Sequence, residues 1–155
     1  MSSPPRPLSI GLVAHDAMKQ TLVDWVSRNK ETLLGYCFFA TGTTTKALRM
    51  AHGDLHITAL QSGPLGGDQQ LGAMICEGKL DLLVFFQDPM TAQPRDVDVK
   101  ALVRLTTLYD VPLACNPGTA DLLISSPHFA DLAHRSFDGR IANWTSYLNR
   151  ELTET

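Results

Sequence analysis

Apolar residues along the chain follow two rhythms. Short unbroken runs at residues 9–14, 36–40, 56–60, 80–86 and 112–115 read as buried strands. Between them the apolar positions recur at helical spacing. Leu22, Val23, Trp25 and Val26 mark a helix over 18–29, and a short one over 44–51 is closed by His52 and Gly53. A helix over 68–77 is stopped by Gly78, and one over 98–109 turns Val99, Leu102, Val103, Leu105 and Thr106 inward. Two more follow at 118–124 and 141–152, the last with Ile141, Trp144, Tyr147 and Leu148 on one docking face. Strands alternating with helices predict an α/β fold. It is a doubly wound, mostly parallel five-stranded sheet with helices on both faces and the very apolar run 80–86 central.

Composition narrows the class. The 155 residues suit one domain, with residues 1–7 (MSSPPRP) expected to be a flexible N-terminus. At 44% hydrophobic residues, the chain can build a core without disulfides or a structural metal. The net charge is −3 and no basic stripe accompanies the aromatics, which argues against nucleic acid. No run of about 18 apolar residues and no secretory-type leader is found, so neither a membrane partner nor export is expected, and the location expected is cytoplasmic. Cys37, Cys76 and Cys115 form no C-x-x-C and lack partners at ligand spacing. They read as small buried hydrophobes in a reducing compartment.

In a parallel sheet of this kind ligands bind beyond the C-terminal strand ends, and polar residues collect there. The first strand ends in Ala14-His15-Asp16, with Lys19 a turn later. The second ends in Thr41-Gly42-Thr43-Thr44 at a helix start, where free N–H groups, hydroxyls and the helix dipole favour a phosphate, and where a plain N-cap is the simpler reading. Lys19 and the Ser62-Gly63 turn on the same rim favour phosphate. The third strand runs into Ser62-Gly63-Pro64-Leu65-Gly66-Gly67-Asp68, a shaped loop with little side-chain bulk. Asp68 either complements a helix dipole or, beside a phosphate cradle, removes a proton alpha to a carbonyl. Asp96 and Asp98 either start their helix or share the pocket with Asp68. His15 is either a core histidine or a contact for a substrate oxygen.

These segments together resemble the methylglyoxal synthase family. The matching stretches are Val13-Ala14-His15-Asp16 with Lys19-Gln20, Ala40-Thr41-Gly42-Thr43-Thr44, Ser62-Gly63-Pro64-Leu65-Gly66-Gly67-Asp68-Gln69-Gln70, Phe85-Phe86-Gln87-Asp88-Pro89 and Asp98-Val99-Lys100-Ala101-Leu102. They cover most of the chain, and the long glycine-rich run is the specific one. The resemblance implies a lyase that converts dihydroxyacetone phosphate to methylglyoxal and inorganic phosphate. It implies no metal, no organic cofactor, and a homohexamer in which phosphate can regulate. Asp68 would then take the proton from the carbon bearing the hydroxyl, and Asp98 would be the second carboxylate. Lys19, Thr41, Gly42, Thr43 and Thr44 would hold the phosphate, Ser62 and Gly63 would contact substrate, and His15 would line the pocket.

One departure bears on the chemistry. The family carries Gln-Pro-His before its acidic pair, whereas this chain has Gln93-Pro94-Arg95. An arginine stabilises an enediolate but cannot shuttle a proton. Arg95 is therefore expected to keep the electrostatic role while water or another group moves the proton. The change from Asp-Pro-Asp to Asp96-Val97-Asp98 affects loop stiffness only. Two other functions share these features: a phosphate-sensing module without turnover, as in the effector domain of carbamoyl-phosphate synthetase, and an isomerase working through the same enediolate. Asp68 within the full glycine-rich run speaks against a mere sensor, and Arg95 speaks for one.

Overall fold

The computed structural model describes residues 6–153. Five strands, β1 (Ser9–Ala14), β2 (Cys37–Ala40), β3 (Ile57–Ala59), β4 (Leu82–Phe86) and β5 (Leu113–Ala114), form one sheet in the order β3-β2-β1-β4-β5. Every pairing is parallel. Each crossover therefore needs a connection long enough to return across the sheet, and helices supply it. The helices are α1 (Lys19–Arg28), α2 (Lys30–Leu33), α3 (Gly42–Ala51), α4 (Gly67–Cys76), α5 (Asp96–Leu108), α6 (Pro117–Ser125), α7 (Phe137–Arg140) and α8 (Ala142–Thr153).

Alternating strand residues build two cores. Ile10, Leu12, Phe38, Leu82, Val84 and Phe86 meet Leu22, Trp25 and Val26 of α1, Leu48 of α3, and Ala120 and Ile124 of α6. On the other face Val13, Leu83 and Phe85 meet Leu71 and Ile75 of α4 and Val99 and Leu102 of α5. All five residues of β4 are buried because it is covered on both faces and paired on both edges. The middle strand is β1, not β4. In α5 the inward face is Val99, Leu102 and Thr106, while Val103, expected inward, is 39% exposed. The three cysteines are half-buried rather than buried. At the chain's end Trp144 Nε1 donates to the Leu108 carbonyl at 3.0 Å and meets Tyr109 edge-on, which docks α8 against the end of α5. Tyr147 is exposed, and the side chain of Leu148 lies outside the described residues.

Residues 1–5 of the segment expected to be flexible lie outside the described part. Arg6 grips the buried Asp81 with both guanidinium nitrogens, at 2.5 and 2.6 Å, and Ser9 N–H donates to the same carboxylate at 2.9 Å. Removing Arg6 leaves Asp81 in the interior with one donor in place of three. Arg6→Ala is expected to lower unfolding stability by about 2 kcal/mol, read from urea denaturation.

Candidate active site

The sheet order reverses between β1 and β4. Beyond Ala14 the chain moves toward α1 on one face, and beyond Phe86 toward α5 on the other. The two loops diverge and leave a crevice, as at other topological switch points. A cavity of about 500 Å³ opens there. Its walls come from the ends of all four longer-range loops: His15, Asp16 and Lys19 after β1, Thr41 and Thr43 after β2, Ser62, Gly63 and Asp68 after β3, and Asp88 and Arg95 after β4.

His15 sits at the crevice itself. Its N–H donates to the Phe86 carbonyl at 3.1 Å, tying the end of β1 to β4. Its ring nitrogen Nδ1 accepts the Asp88 N–H at 2.8 Å, and its ring packs edge-on to Phe85. A nitrogen that accepts an amide N–H carries no proton, so the neutral ring keeps its proton on Nε2. Burial pushes the His15 pKa below its ordinary value against the pull of Asp88 and Asp68, and Lys19 and Arg95 add to the lowering. Asp88 fixes its own turn: its Oδ1 accepts the N–H groups of Met90 (2.9 Å) and Thr91 (3.2 Å). Lys19 Nζ donates to the Ala14 carbonyl at 3.0 Å and pairs with Asp16 at 2.7 Å.

The α3 terminus begins two residues before the position expected. Thr45 N–H donates to the Thr41 carbonyl at 2.8 Å, the first bond of the helix. Gly42 N–H turns to the Gln61 carbonyl at 3.2 Å, so it is spent inside the fold. A Cβ on Gly42 would lie 3.2 Å from Ser62 N, and this closeness explains the glycine. The Thr43 and Thr44 N–H groups have no acceptor among the described residues. Thr41 and Thr44 are buried with their hydroxyls bonded to each other at 3.2 Å, and Thr43 reaches the cavity. Gly42 and Thr44 thus shape the turn without lining the cavity wall.

The glycine-rich loop folds back on itself. Ser62 leads into a short 3₁₀ turn (Gly63–Leu65), and its carbonyl accepts the N–H groups of Leu65 (2.9 Å) and Gly67 (3.0 Å). Gly66 closes the turn at φ 105°, a left-handed conformation that glycine adopts without strain. The loop presents Asp68 in the first turn of α4, 7% exposed at its side chain. Asp68 Oδ2 accepts from Arg95 Nη1 at 2.8 Å, while Oδ1 receives no hydrogen bond from the described residues. Burial raises the Asp68 pKa above the usual carboxylate value. Arg95 and His15 oppose the rise, and Asp98 adds to it. A Cβ on Gly63 would fall 2.1 Å from Arg95 Nη1, so the glycine makes the space in which that guanidinium lies.

Asp98 stands one step back from the cavity. Its Oδ1 accepts from Gln69 Nε2 at 3.0 Å, and it acts on Asp68 through charge rather than contact. Residue reasoning from sequence missed Asp88. Its signal was present, an Asp-Pro directly beyond an interior strand at the point where the strand order reverses.

The arrangement joins a desolvated carboxylate with one oxygen clear, a neutral imidazole N–H donor, two cationic side chains and a helix N-terminus. These groups suit proton removal from an anionic metabolite. Fold and site define a doubly wound α/β protein with a candidate acid–base site at its switch point. The profile of the family described as an MGS-like domain matches residues 21–115. A methylglyoxal synthase of Oleidesulfovibrio alaskensis is 51% identical over 142 residues, covering 92% of this chain and 94% of that protein. One of Erwinia tasmaniensis is 48% identical over 143 residues, covering 92% and 91%. The crystal structure of methylglyoxal synthase from Elizabethkingia anophelis superposes with a TM-score of 0.76 at 46% identity, over 81% of this chain and 82% of that one. The chain belongs to the methylglyoxal synthase family.

Proposed function

We propose that this chain is a carbon–oxygen lyase that converts dihydroxyacetone phosphate to methylglyoxal and inorganic phosphate. The observation that carries the proposal is Asp68: a buried carboxylate with raised proton affinity, one oxygen held by Arg95 and the other clear, in a cavity beside the α3 N-terminus. The identity to the synthases of O. alaskensis and E. tasmaniensis over nine-tenths of the chain supports the same reading. The relatives lend no support to the non-catalytic sensor.

Asp68 Oδ1 takes a proton from the carbon bearing the hydroxyl, and the ketone becomes an enediolate. A desolvated carboxylate is the stronger base for this step. Arg95 and the His15 N–H are donors already in place for the negative charge that develops. The phosphate is held by Lys19, the Thr43 hydroxyl and the free N–H groups of Thr43 and Thr44, with Thr41 and Gly42 giving the turn its shape. The Ser62 and Gly63 N–H groups, which bond to nothing among the described residues, face the substrate. Asp98 supports Asp68 as a neighbouring charge. The phosphate must stand out of the enediolate plane, so that the breaking C–O bond aligns with the π system. Homohexamer assembly, regulation by phosphate and a cytoplasmic location belong to the same reading and rest on the resemblance.

Product identity tests the function: dihydroxyacetone phosphate should yield methylglyoxal and phosphate, not glyceraldehyde 3-phosphate. Arg95 has its own test. An imidazole at this position loses its charge as pH rises through about 6.5, whereas a guanidinium keeps its charge. Arg95→His is expected to retain turnover within about tenfold at pH 6. Its kcat/KM should then decline above neutrality, where the unmodified protein stays level. A level profile for Arg95→His would show that charge at residue 95 is not what the reaction uses.

A further inference from the structure

The reaction above contains a proton transfer that neither Asp68 nor Arg95 can make. Once the proton on carbon has gone to Asp68, the hydroxyl oxygen of the enediolate must lose its proton to become the aldehyde carbonyl. The former ketone oxygen must gain one to leave a neutral enol. We infer that His15 Nε2 carries this proton between the two substrate oxygens, with the Asp88 N–H holding the ring in the required tautomer. The inference rests on the lyase reading.

The geometry is specific. Nδ1 is occupied by the Asp88 N–H at 2.8 Å, which leaves Nε2–H as the ring's reactive edge, and the residue lines the cavity that holds Asp68. The ring is held by the Asp88 N–H on Nδ1 and by its edge-on packing with Phe85, on a backbone tied to Phe86. The Asp88 N–H is aimed by the two bonds that the Asp88 carboxylate accepts from Met90 and Thr91. The charged groups around His15 are Asp88, Asp68, Lys19 and Arg95, with its neighbour Asp16 also in electrostatic range, and burial outweighs the carboxylates, so the ring stays neutral where an exposed histidine would begin to charge. A neutral ring is a donor that can also accept once its proton is given. The Asp88 N–H bond strengthens as negative charge grows on the ring during that exchange. The guanidinium of Arg95, paired with Asp68, offers no such exchange.

The step balances. Nε2 gives its proton to the former ketone oxygen and takes back the proton of the hydroxyl oxygen. The carbon–carbon double bond moves toward the phosphorylated carbon as the aldehyde C=O forms, and the C–O bond to phosphate breaks. The departing phosphate takes the proton that Asp68 removed. The products are hydrogen phosphate and the enol of methylglyoxal, which ketonises by protonation at its CH2 carbon. No oxidant or reductant enters.

His15→Gln tests this, because glutamine offers an N–H donor without the exchange. In D2O the full-length variant should still wash deuterium into the hydroxymethyl carbon of recovered dihydroxyacetone phosphate, since abstraction by Asp68 is intact. Product formation should fall by about 10²-fold or more. The ratio of exchange to methylglyoxal should therefore rise at least tenfold over that of the unmodified protein. An unchanged ratio, whether both rates fall together or neither falls, overturns the inference. ¹⁵N NMR of the unmodified protein gives a second reading that needs no substitution. Nδ1 should resonate as an unprotonated nitrogen and Nε2 as N–H from pH 8 down to below 6.5, and a protonated Nδ1 at neutral pH overturns the inference as well. If the unmodified protein makes no methylglyoxal at all, the lyase reading has failed instead, and the two failures are distinguishable.

Discussion

Asp68→Asn is expected to cut turnover by roughly 10³-fold or more while the fold stands. General-base catalysis contributes about 10²–10⁴-fold, and the amide retains the shape of the carboxylate but not its basicity. Binding should change far less, since Lys19 and the α3 terminus are untouched. Stability should move the other way. Burial raises the Asp68 pKa in the folded chain, so the fold holds that proton more tightly than the unfolded chain does. The fold therefore loses stability as pH rises from the ordinary carboxylate pKa through the raised one. An amide has no proton to lose. The Tm of Asp68→Asn at pH 7 should equal or exceed that of the unmodified protein, and the difference should vanish in acid below the ordinary carboxylate range. A Tm well below the unmodified protein at pH 7 would mean that the Arg95 contact outweighs the cost of burial. The same pKa direction makes kcat/KM climb with pH through the raised value and then level off.

Gly67→Ala is the second large effect, and it acts through the backbone. A Cβ at residue 67 would lie 2.1 Å from the Gln61 carbonyl oxygen and 2.9 Å from Thr41 Cγ2. The carbonyl is itself fixed, since it accepts the Gly42 N–H that joins the second and third loops. Relief requires the glycine-rich loop to move away from the α3 turn. Overpacking of this kind costs about 1–3 kcal/mol, a Tm drop of roughly 3–10 °C for a chain of this size. It would also carry Asp68, the next residue, away from the phosphate cradle, and misplacement by about 1 Å can cost 10²-fold in rate. Thermal melting and kcat/KM together check this. Gly63→Ala differs in kind, because its Cβ meets the movable end of Arg95 rather than backbone.

Much of the architecture was legible because its signals are local. Unbroken apolar runs separated by amphipathic ones imply parallel strands with helices on both faces, and β1 was placed to the residue. The boundary errors have physical causes. Gly42 and Thr43 read as turn, yet they are the first helical residues, because an extended Thr41 already serves as the N-cap. Val103 fits the apolar rhythm of α5 but faces solvent, since a helix needs only about one stripe of contact. The short helix α7 and the 3₁₀ turn Ala130–His134 were missed, because neither repeats a period long enough to read.

The site was legible as a set of residue types at strand ends and not as a set of contacts. His15, Lys19, Thr41, Thr43, Ser62, Gly63, Asp68 and Arg95 do converge on one cavity. What sequence could not supply is where hydrogen bonds go: that the Gly42 N–H is spent on Gln61, that Asp98 is held by Gln69, that Arg95 grips one oxygen of Asp68, and that Asp88 selects the tautomer of His15. Each is a contact between residues 19 or more positions apart, and their register depends on the sheet order.

The central claim is that the enediolate loses its phosphate. One time course decides it: dihydroxyacetone phosphate incubated with the purified full chain, with methylglyoxal, inorganic phosphate and glyceraldehyde 3-phosphate followed together by ¹H and ³¹P NMR. The account predicts methylglyoxal and phosphate appearing at equal rates, with no glyceraldehyde 3-phosphate. Glyceraldehyde 3-phosphate with the phosphate ester intact, or substrate that binds and never reacts, would contradict it.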